Sequence, residues 1–365
     1  MPRSSVSAPP VGALLRRYED PGEPLSCERV TEGLLNRGYR LSTTRGAYFL
    51  KHHLDGDREA IVRQHRATER LQALGVPVAP PVADARGETV AVIGDSCYAL
   101  HPWVDGRHRD GSHLSTCQSR RLGSLLGLVH TALEQVMHRA ERPAIPGPRA
   151  RAGEAGSRGR APRRYTRQYA PQHARPYDSA DPTETFTLID ELLGLARGSR
   201  PHDTFDTLAE HRLLERRALL ELYADRRPPP PRAGGWVHGD FHPLNLLYRG
   251  TEPVAIVDWD RLGVQPRAEE AVRAAVIFFL RPAGVLELPK VRAYARAYRR
   301  AVGADAAEMA AAVHRVWWER LNDFWILRWR YQLRDRRADP QFAAVSALAV
   351  WWTREYEAVR EAFTA

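Results

Sequence analysis

Three oxygen-bearing side chains between Trp236 and Gly263 carry the strongest chemical signal in the sequence: Asp240, Asn245 and Asp258. The first two lie in Val237-His238-Gly239-Asp240-Phe241-His242-Pro243-Leu244-Asn245. A short apolar run, Leu246 to Tyr248, then passes through turn residues Arg249 to Pro253 into a second, Val254 to Val257, which ends at Asp258-Trp259-Asp260. If the two runs pair as a hairpin, Asn245 and Asp258 stand side by side at its open end, with Asp240 in the loop just ahead. Hard oxygen donors gathered in this way suit magnesium, and a carboxylate beside the metal suits a general base. Phosphoryl transfer needs both: a cation against the phosphate charge, and a carboxylate that orients the attacking hydroxyl and takes its proton. A single loop Asp is ordinarily a turn or cap residue. Here the Asp, the Asn, the strand pair and the second Asp occur as one unit, and that points to chemistry.

Other elements must position this segment. Tyr39 to Ser42 and Ala47 to Lys51 read as two strands around a turn at Thr43 to Gly46. Asp57 to Leu74 reads as a helix with Ala60, Ile61, Gln64, Ala67, Leu71 and Leu74 along one face. Gly75-Val76-Pro77 ends it, because Pro77 cannot continue the helical ladder. Strands around Val90 to Val92 and Cys97 to Leu100 complete a small lobe, residues 21–105. Beyond it the pattern turns helical: Arg121 to Val136, Phe186 to Arg197, Thr207 to Asp225, and a final third dense in aromatics. Residues 1–20 read as a loose tail. An Arg/Pro/Gly-rich stretch at about 139–177 reads as a flexible insertion in a larger lobe, 106–365. The expected fold is α+β, a small antiparallel sheet with one helix followed by a larger, mainly helical lobe.

The bulk properties narrow the function classes. At 365 residues the chain exceeds a typical single domain. It has no apolar run near the ~18 residues of a membrane helix and no secretory h-region at its start. Cys27, Cys97 and Cys117 match no zinc or disulfide spacing, so a reducing, cytoplasmic setting is expected. The net charge is +10, but ten arginines against Glu141 and Glu154 fall between Arg139 and Arg175. Charge concentrated in one insertion argues against a nucleic-acid face spread over the fold. Lys51 and Lys290 are the only lysines among 54 basic residues.

The run HGDFHPLNLLY followed by VAIVDWD resembles the catalytic motif and metal aspartate of the aminoglycoside phosphotransferase and choline kinase superfamily. The resemblance spans roughly Gly33 to Gly263. It implies a protein-kinase-like two-lobed fold and an ATP- and magnesium-dependent phosphotransferase with an alcohol group as acceptor. On that footing Asp240 is the catalytic base, Asn245 and Asp258 hold magnesium, and His238 braces the catalytic loop. His242 takes a supporting place near the substrate, and Asp260 bonds locally rather than to the metal. Lys51 would hold the α and β phosphates. The loop from Gly33 through Asn36 and Gly38 would lie over them, and Tyr98 to Trp103, with Leu100, would offer backbone groups to adenine. One position departs from the family pattern. The lysine's usual partner is a glutamate on the small-lobe helix, and Gln64 stands there, with Glu59 and Glu69 turned away. Gln64 can hydrogen-bond an ammonium but brings no charge, unless another acid such as Glu59 substitutes.

The acceptor is less legible. Members of the superfamily phosphorylate small-molecule hydroxyls and sometimes peptide hydroxyls, and a basic chain disfavours a polycationic acceptor. Trp318, Glu319 and Asp323, in the aromatic helices, are candidate wall residues of an acceptor cleft, although aromatics at this spacing are more often core. Three readings stay open. The first is a small-molecule phosphotransferase. The second is a Ser/Thr kinase acting on a precursor peptide in a ribosomal peptide pathway, its acidic leader held by the arginine-rich insertion. The third is a pseudokinase, supported by Gln64 alone. A nucleic-acid role rests on charge and ranks last.

Overall fold

The computed structural model describes residues 8–30, 36–54, 57–137, 179–231 and 234–365. Gly33 of the expected phosphate loop and the insertion at 139–177 lie outside the described residues. The chain divides into two compact units, the first comprising 1–108, 135–170 and 244–262, the second 109–134, 171–243 and 263–365. This division differs from a simple cut after residue 105, because the segment 244–262 groups with the first unit.

The first unit begins with helix α1 (Val11–Leu15), so the loose tail expected over 1–20 does not extend to its second half. The reason is burial. Leu14, Leu15 and Tyr18 pack with Tyr39, Leu41, Leu50 and Leu100, and Arg17 ion-pairs with the buried Asp84 at 2.9 Å. Strands β1 (Pro24–Val30), β2 (Arg37–Thr43) and β3 (Gly46–His53) follow. β1 is the strand that sequence reading misses. It lies at a sheet edge with most side chains exposed, so it shows no alternation of apolar and polar residues. In β2, Tyr39, Leu41 and Thr43 alternate inward, the period expected of a strand with one buried face.

Helix α2 (Arg58–Ala73) starts on Asp57, whose side chain accepts the Ala60 N–H at 3.1 Å. Its buried face includes Ile61, Gln64, Ala67 and Leu71, while Glu59 and Glu69 are exposed. Strands β4 (Ala91–Ile93) and β5 (Ser96–Pro102) complete an antiparallel sheet in the order β1-β2-β3-β5-β4. The sheet therefore has a fifth strand, β1, and the segment before it a helix, α1, beyond those expected.

Three histidines gather in this unit. His65 on α2 lies 6.2 Å from His53 and 5.6 Å from His101, ring centre to ring centre. Burial first, then the His101 ring and the Lys51 ammonium, push His65 down to about 3. Burial likewise brings His101 down to about 4, and His53 well below its ordinary value. The folded chain thus resists protonation that the unfolded chain accepts near pH 6.5, so stability is present above that pH and lost below it. Each such histidine contributes up to ~1.4 kcal/mol per pH unit inside its window. The urea midpoint is expected to fall steadily from pH 6.5 towards 4, with a shallower slope in His65→Gln. A midpoint that stays level over this range would contradict the assignment.

The second unit opens with most of helix α3 (Thr116–Val136), then α4 (Pro182–Gly198) and α5 (Thr204–Leu222). Strand β6 (Gly235–Val237) follows. The hairpin β7 (Leu246–Arg249) and β8 (Glu252–Ile256) then returns to the first unit, and β9 (Gly263–Gln265) pairs antiparallel with β6. Helices α6 (Arg267–Phe279), α7 (Leu288–Val302), α8 (Ala306–Asn322), α9 (Trp325–Tyr331), α10 (Phe342–Arg354) and α11 (Tyr356–Thr364) complete it. Trp317, Trp318, Trp352, Tyr294, Phe278 and Phe363 are fully buried here, which identifies the aromatic tail as core. Trp318 is therefore corrected as an acceptor candidate: it is 1% exposed, and its indole N–H donates to the Ala180 carbonyl. Among the described residues no helix is long and apolar enough to cross a membrane.

Candidate active site

In the first unit, β7 and β8 pair antiparallel with Leu246 opposite Ile256. The Val257 N–H donates to the Asn245 carbonyl at 2.9 Å, so Asn245 and Asp258 stand together at the open end of the hairpin. Asp258 sits in the left-handed region (φ 60°, ψ 66°), a conformation that Asp tolerates better than most side chains. Lys51, on β3 opposite Gly38 of β2, is buried and donates to Asp258 Oδ1 at 2.8 Å and to Asp260 Oδ1 at 2.6 Å. Burial lowers the lysine's pKa, and the two carboxylates more than reverse that, so the ammonium is held protonated above its ordinary value. Burial and the like charge of Asp258 push the Asp260 carboxyl upward, against the pull of Lys51.

Asp260 is the hub of this cluster and bonds locally to Lys51, Asn36 and Gln64. Asn36 Nδ2 donates to Asp260 Oδ2, and Asn36 Oδ1 accepts the Leu54 N–H at 3.0 Å. Gln64 Nε2 donates to the Asp260 carbonyl at 3.1 Å. The missing helix acid is therefore supplied by Asp258 and Asp260, neither Gln64 nor Glu59 being the lysine's counter-charge. From this follows an expected result for Gln64→Glu. The change removes a donor to the Asp260 carbonyl and adds a third carboxylate beside two, so whatever affinity the cluster has for ATP should weaken about tenfold, the worth of a buried charge conflict. Calorimetry showing tighter ATP binding in that variant would contradict this account of Lys51.

The Leu100 side chain is core, and its carbonyl already accepts the Val82 N–H at 2.7 Å, which leaves one lone pair of that oxygen. A Cβ at Gly38 would press on the Phe49 ring and force it to shift.

Among the described residues no three His, Cys, Asp or Glu side chains gather as a metal site. The Asn245 and Asp258 pair nevertheless fits magnesium in its chemistry. The donors are hard oxygens, and Asp258 is 45% exposed at its side chain with an ammonium on one oxygen. Magnesium takes one or two protein oxygens and fills its octahedron with water and phosphate oxygens.

In the second unit, β6 delivers His238, Gly239 and Asp240. Gly239 has φ +85°, a turn that L side chains rarely adopt. His238 is fully buried, and its Nδ1 accepts the Asp240 N–H at 3.2 Å. Glu270 on α6 accepts the His238 N–H at 3.2 Å and also the Gly239 N–H. Phe241 is buried and lies 6.1 Å from Phe278, ring centre to ring centre, which fixes the loop's far side to α6. His242 Nε2 lies 3.6 Å from Asp240 Oδ2. The helical acids proposed for the acceptor are partly neutralised. Glu319 accepts from Arg273 at 2.7 Å and from Arg320 at 2.9 Å, and Asp323 is 3.5 Å from Arg320 and accepts the Trp325 N–H.

Glu270 and its partners were missed by sequence reading. An acid in Arg267-Ala268-Glu269-Glu270-Ala271 resembles an ordinary first-turn residue that favours a helix N-terminus. The available signal was the mostly apolar stretch after it, broken only by Arg273, which marks most of α6 as buried.

A profile of the phosphotransferase enzyme family (APH) matches residues 26–301. No curated protein matches the chain. Among solved structures, the aminoglycoside phosphotransferase of Alicyclobacillus acidocaldarius is 16% identical, with a TM-score of 0.59 over 99% of this chain and 96% of that one. Spectinomycin phosphotransferase APH(9)-Ia, solved with ADP and spectinomycin, is 13% identical, with a TM-score of 0.57 over 99% and 98%. The amicoumacin kinase hAmiN, solved with AMP-PNP, Ca2+ and Ami, is 18% identical, with a TM-score of 0.54 over 96% and 92%. These likenesses establish the α+β, kinase-like, two-lobed fold.

Proposed function

We propose, from the premise that this chain belongs to the phosphotransferase enzyme family, that it moves the γ-phosphoryl group of ATP to a hydroxyl of a small molecule with the help of magnesium. The observation that carries this reading is the Lys51, Asp258 and Asp260 cluster with Asn245 beside it, a buried cation and hard oxygens at one place. Lys51 binds the α and β phosphates as a point charge. Asn245 and Asp258 hold the metal, which when bound neutralises phosphate charge. Asp240 orients the acceptor hydroxyl and takes its proton, and His238 fixes the Asp240 backbone through the hydrogen bond described above.

The nucleotide reading is supported by the ADP and AMP-PNP in two structures of the same fold, and the small-molecule reading by the spectinomycin and Ami they hold. A strongly polycationic acceptor is disfavoured, because Glu319 and Asp323 already face Arg273 and Arg320.

The test is ADP release from Mg·ATP across a panel of amino alcohols, small alcohols, antibiotics with free hydroxyls, and Ser/Thr peptides with acidic leaders. Turnover with a small hydroxyl compound is expected. Turnover confined to the peptides would replace this reading with that of a peptide kinase.

A further inference from the structure

The catalytic loop of the second unit is tied to a buried relay that reaches two other helices. Glu270, 3% exposed, grips the His238 and Gly239 amides with its two oxygens. The same carboxylate meets His130 Nε2 on α3 at 2.6 Å, and His130 Nδ1 meets the Tyr298 hydroxyl on α7 at 3.0 Å. His130 is fully buried and Tyr298 is 1% exposed. Burial raises the pKa of Glu270. The hydrogen bond and charge of His130, the charge of His238 and the Gly239 amide outweigh that and hold it below the usual carboxylate range. Burial raises the Tyr298 phenol, which stays protonated. An ionised carboxylate accepts and never donates, so His130 Nε2–H is the donor to Glu270. His130 thus links the Tyr298 hydroxyl to the carboxylate, with two loop amides on the same carboxylate.

The reach of this relay is built into the packing. α3 approaches α7 closely because Gly123 and Gly127 lie in the contact. A Cβ at Gly123 would overlap the Tyr294 carbonyl, and one at Gly127 would overlap Ala301. That approach is what lets His130 touch Tyr298.

We propose that His130 and Tyr298 are positioning residues for phosphoryl transfer, which set the catalytic loop by orienting Glu270 against the His238 and Gly239 amides. A carboxylate with two oxygens and no lateral partner can rotate about its last bond. With His130 on Oε2, that oxygen's second lone pair is aimed at the His238 N–H, and Oε1 is left for Gly239. The turn at Gly239 is then held, and Asp240 leaves it in a single direction. The placing of Asp240 as base rests on the proposed function. The bracing of the loop does not.

The experiment is hydrogen exchange of the loop peptide covering 236–242, alongside Mg·ATP affinity and turnover, in the full chain. His130→Leu is expected to speed exchange of the His238 and Gly239 amides about 10- to 100-fold, the loss of a charge-assisted buried hydrogen bond. Peptides from β2, β3 and α2 should be unchanged, and so should Mg·ATP affinity by calorimetry, since Lys51 and Asp258 lie in the other unit. The turnover number should fall while KM for ATP holds. His130→Gln, whose amide N–H can still reach Glu270, is expected to recover most of both readouts.

Tyr298→Phe removes one oxygen and is expected to act in the same direction but less strongly. It keeps the proposal testable if His130→Leu fails to fold. Exchange that rises uniformly across the second unit, or loop exchange unchanged in both His130→Leu and Tyr298→Phe, would overturn the proposal. Faster loop exchange together with an unchanged turnover number would overturn the positioning role. Absence of turnover in the wild-type chain on every acceptor would count against the proposed function instead, and the exchange readout would still decide the relay.

Discussion

Asp240→Asn should abolish phosphoryl transfer, with the turnover number falling by about 10^3- to 10^4-fold while Mg·ATP affinity stays within a factor of about two. The size follows from the proposed role: a positioned general base contributes at the upper end of 10^2 to 10^4, and under that proposal Asp240 also orients the nucleophile. Asparagine keeps the volume and the ability to hydrogen-bond, so the loss isolates basicity. Because His238 holds the Asp240 backbone N–H and Glu270 holds the two preceding amides, the substitution should leave the loop in place. A melting temperature near the wild-type value is therefore part of the expectation. Turnover within tenfold of wild type would remove Asp240 as the base.

The second large effect is at Asp258. Asp258→Asn keeps a side chain that tolerates the left-handed backbone and removes the charge. The metal of the proposed mechanism loses its carboxylate, and Lys51 loses one of its two counter-charges. Titration of ATP at increasing magnesium should show affinity down by about 100-fold, ~2.7 kcal/mol, with most of the magnesium dependence gone. A magnesium dependence equal to that of the wild type would show that the cation is held elsewhere. The two variants separate the roles, since Asp240→Asn acts on the chemical step and Asp258→Asn acts on binding.

Much of this was legible before any coordinates. The hairpin that sets Asn245 beside Asp258 follows from two apolar runs around a turn, and the observed register agrees. The face of α2 that turns Gln64 inward and Glu59 and Glu69 outward follows from helical period alone. Long-range pairing was not legible. Lys51 meets Asp260 across 209 positions, and no local pattern says that the lysine's missing glutamate is replaced from the far end of a hairpin. His130 and Glu270 are likewise 140 positions apart.

Rarity misleads as easily as it helps. Lys290 is as unusual in this arginine-rich chain as Lys51, yet it is buried on the Gly111 and Ser112 carbonyls and beside Glu287, a loop brace. Helix α1 was missed because five helical residues leave too little periodicity to read, while Leu14, Leu15 and Tyr18 bury it all the same.

The most direct test of the central claim follows the transferred group itself. ATP labelled on its γ-phosphate is incubated with magnesium, the chain and the small-hydroxyl panel, and the label is traced at single turnover. The account predicts the label in a phosphate ester of one acceptor, none of it with Asp240→Asn. Label found solely in inorganic phosphate, or retained in ATP while ATP binds tightly, would contradict it.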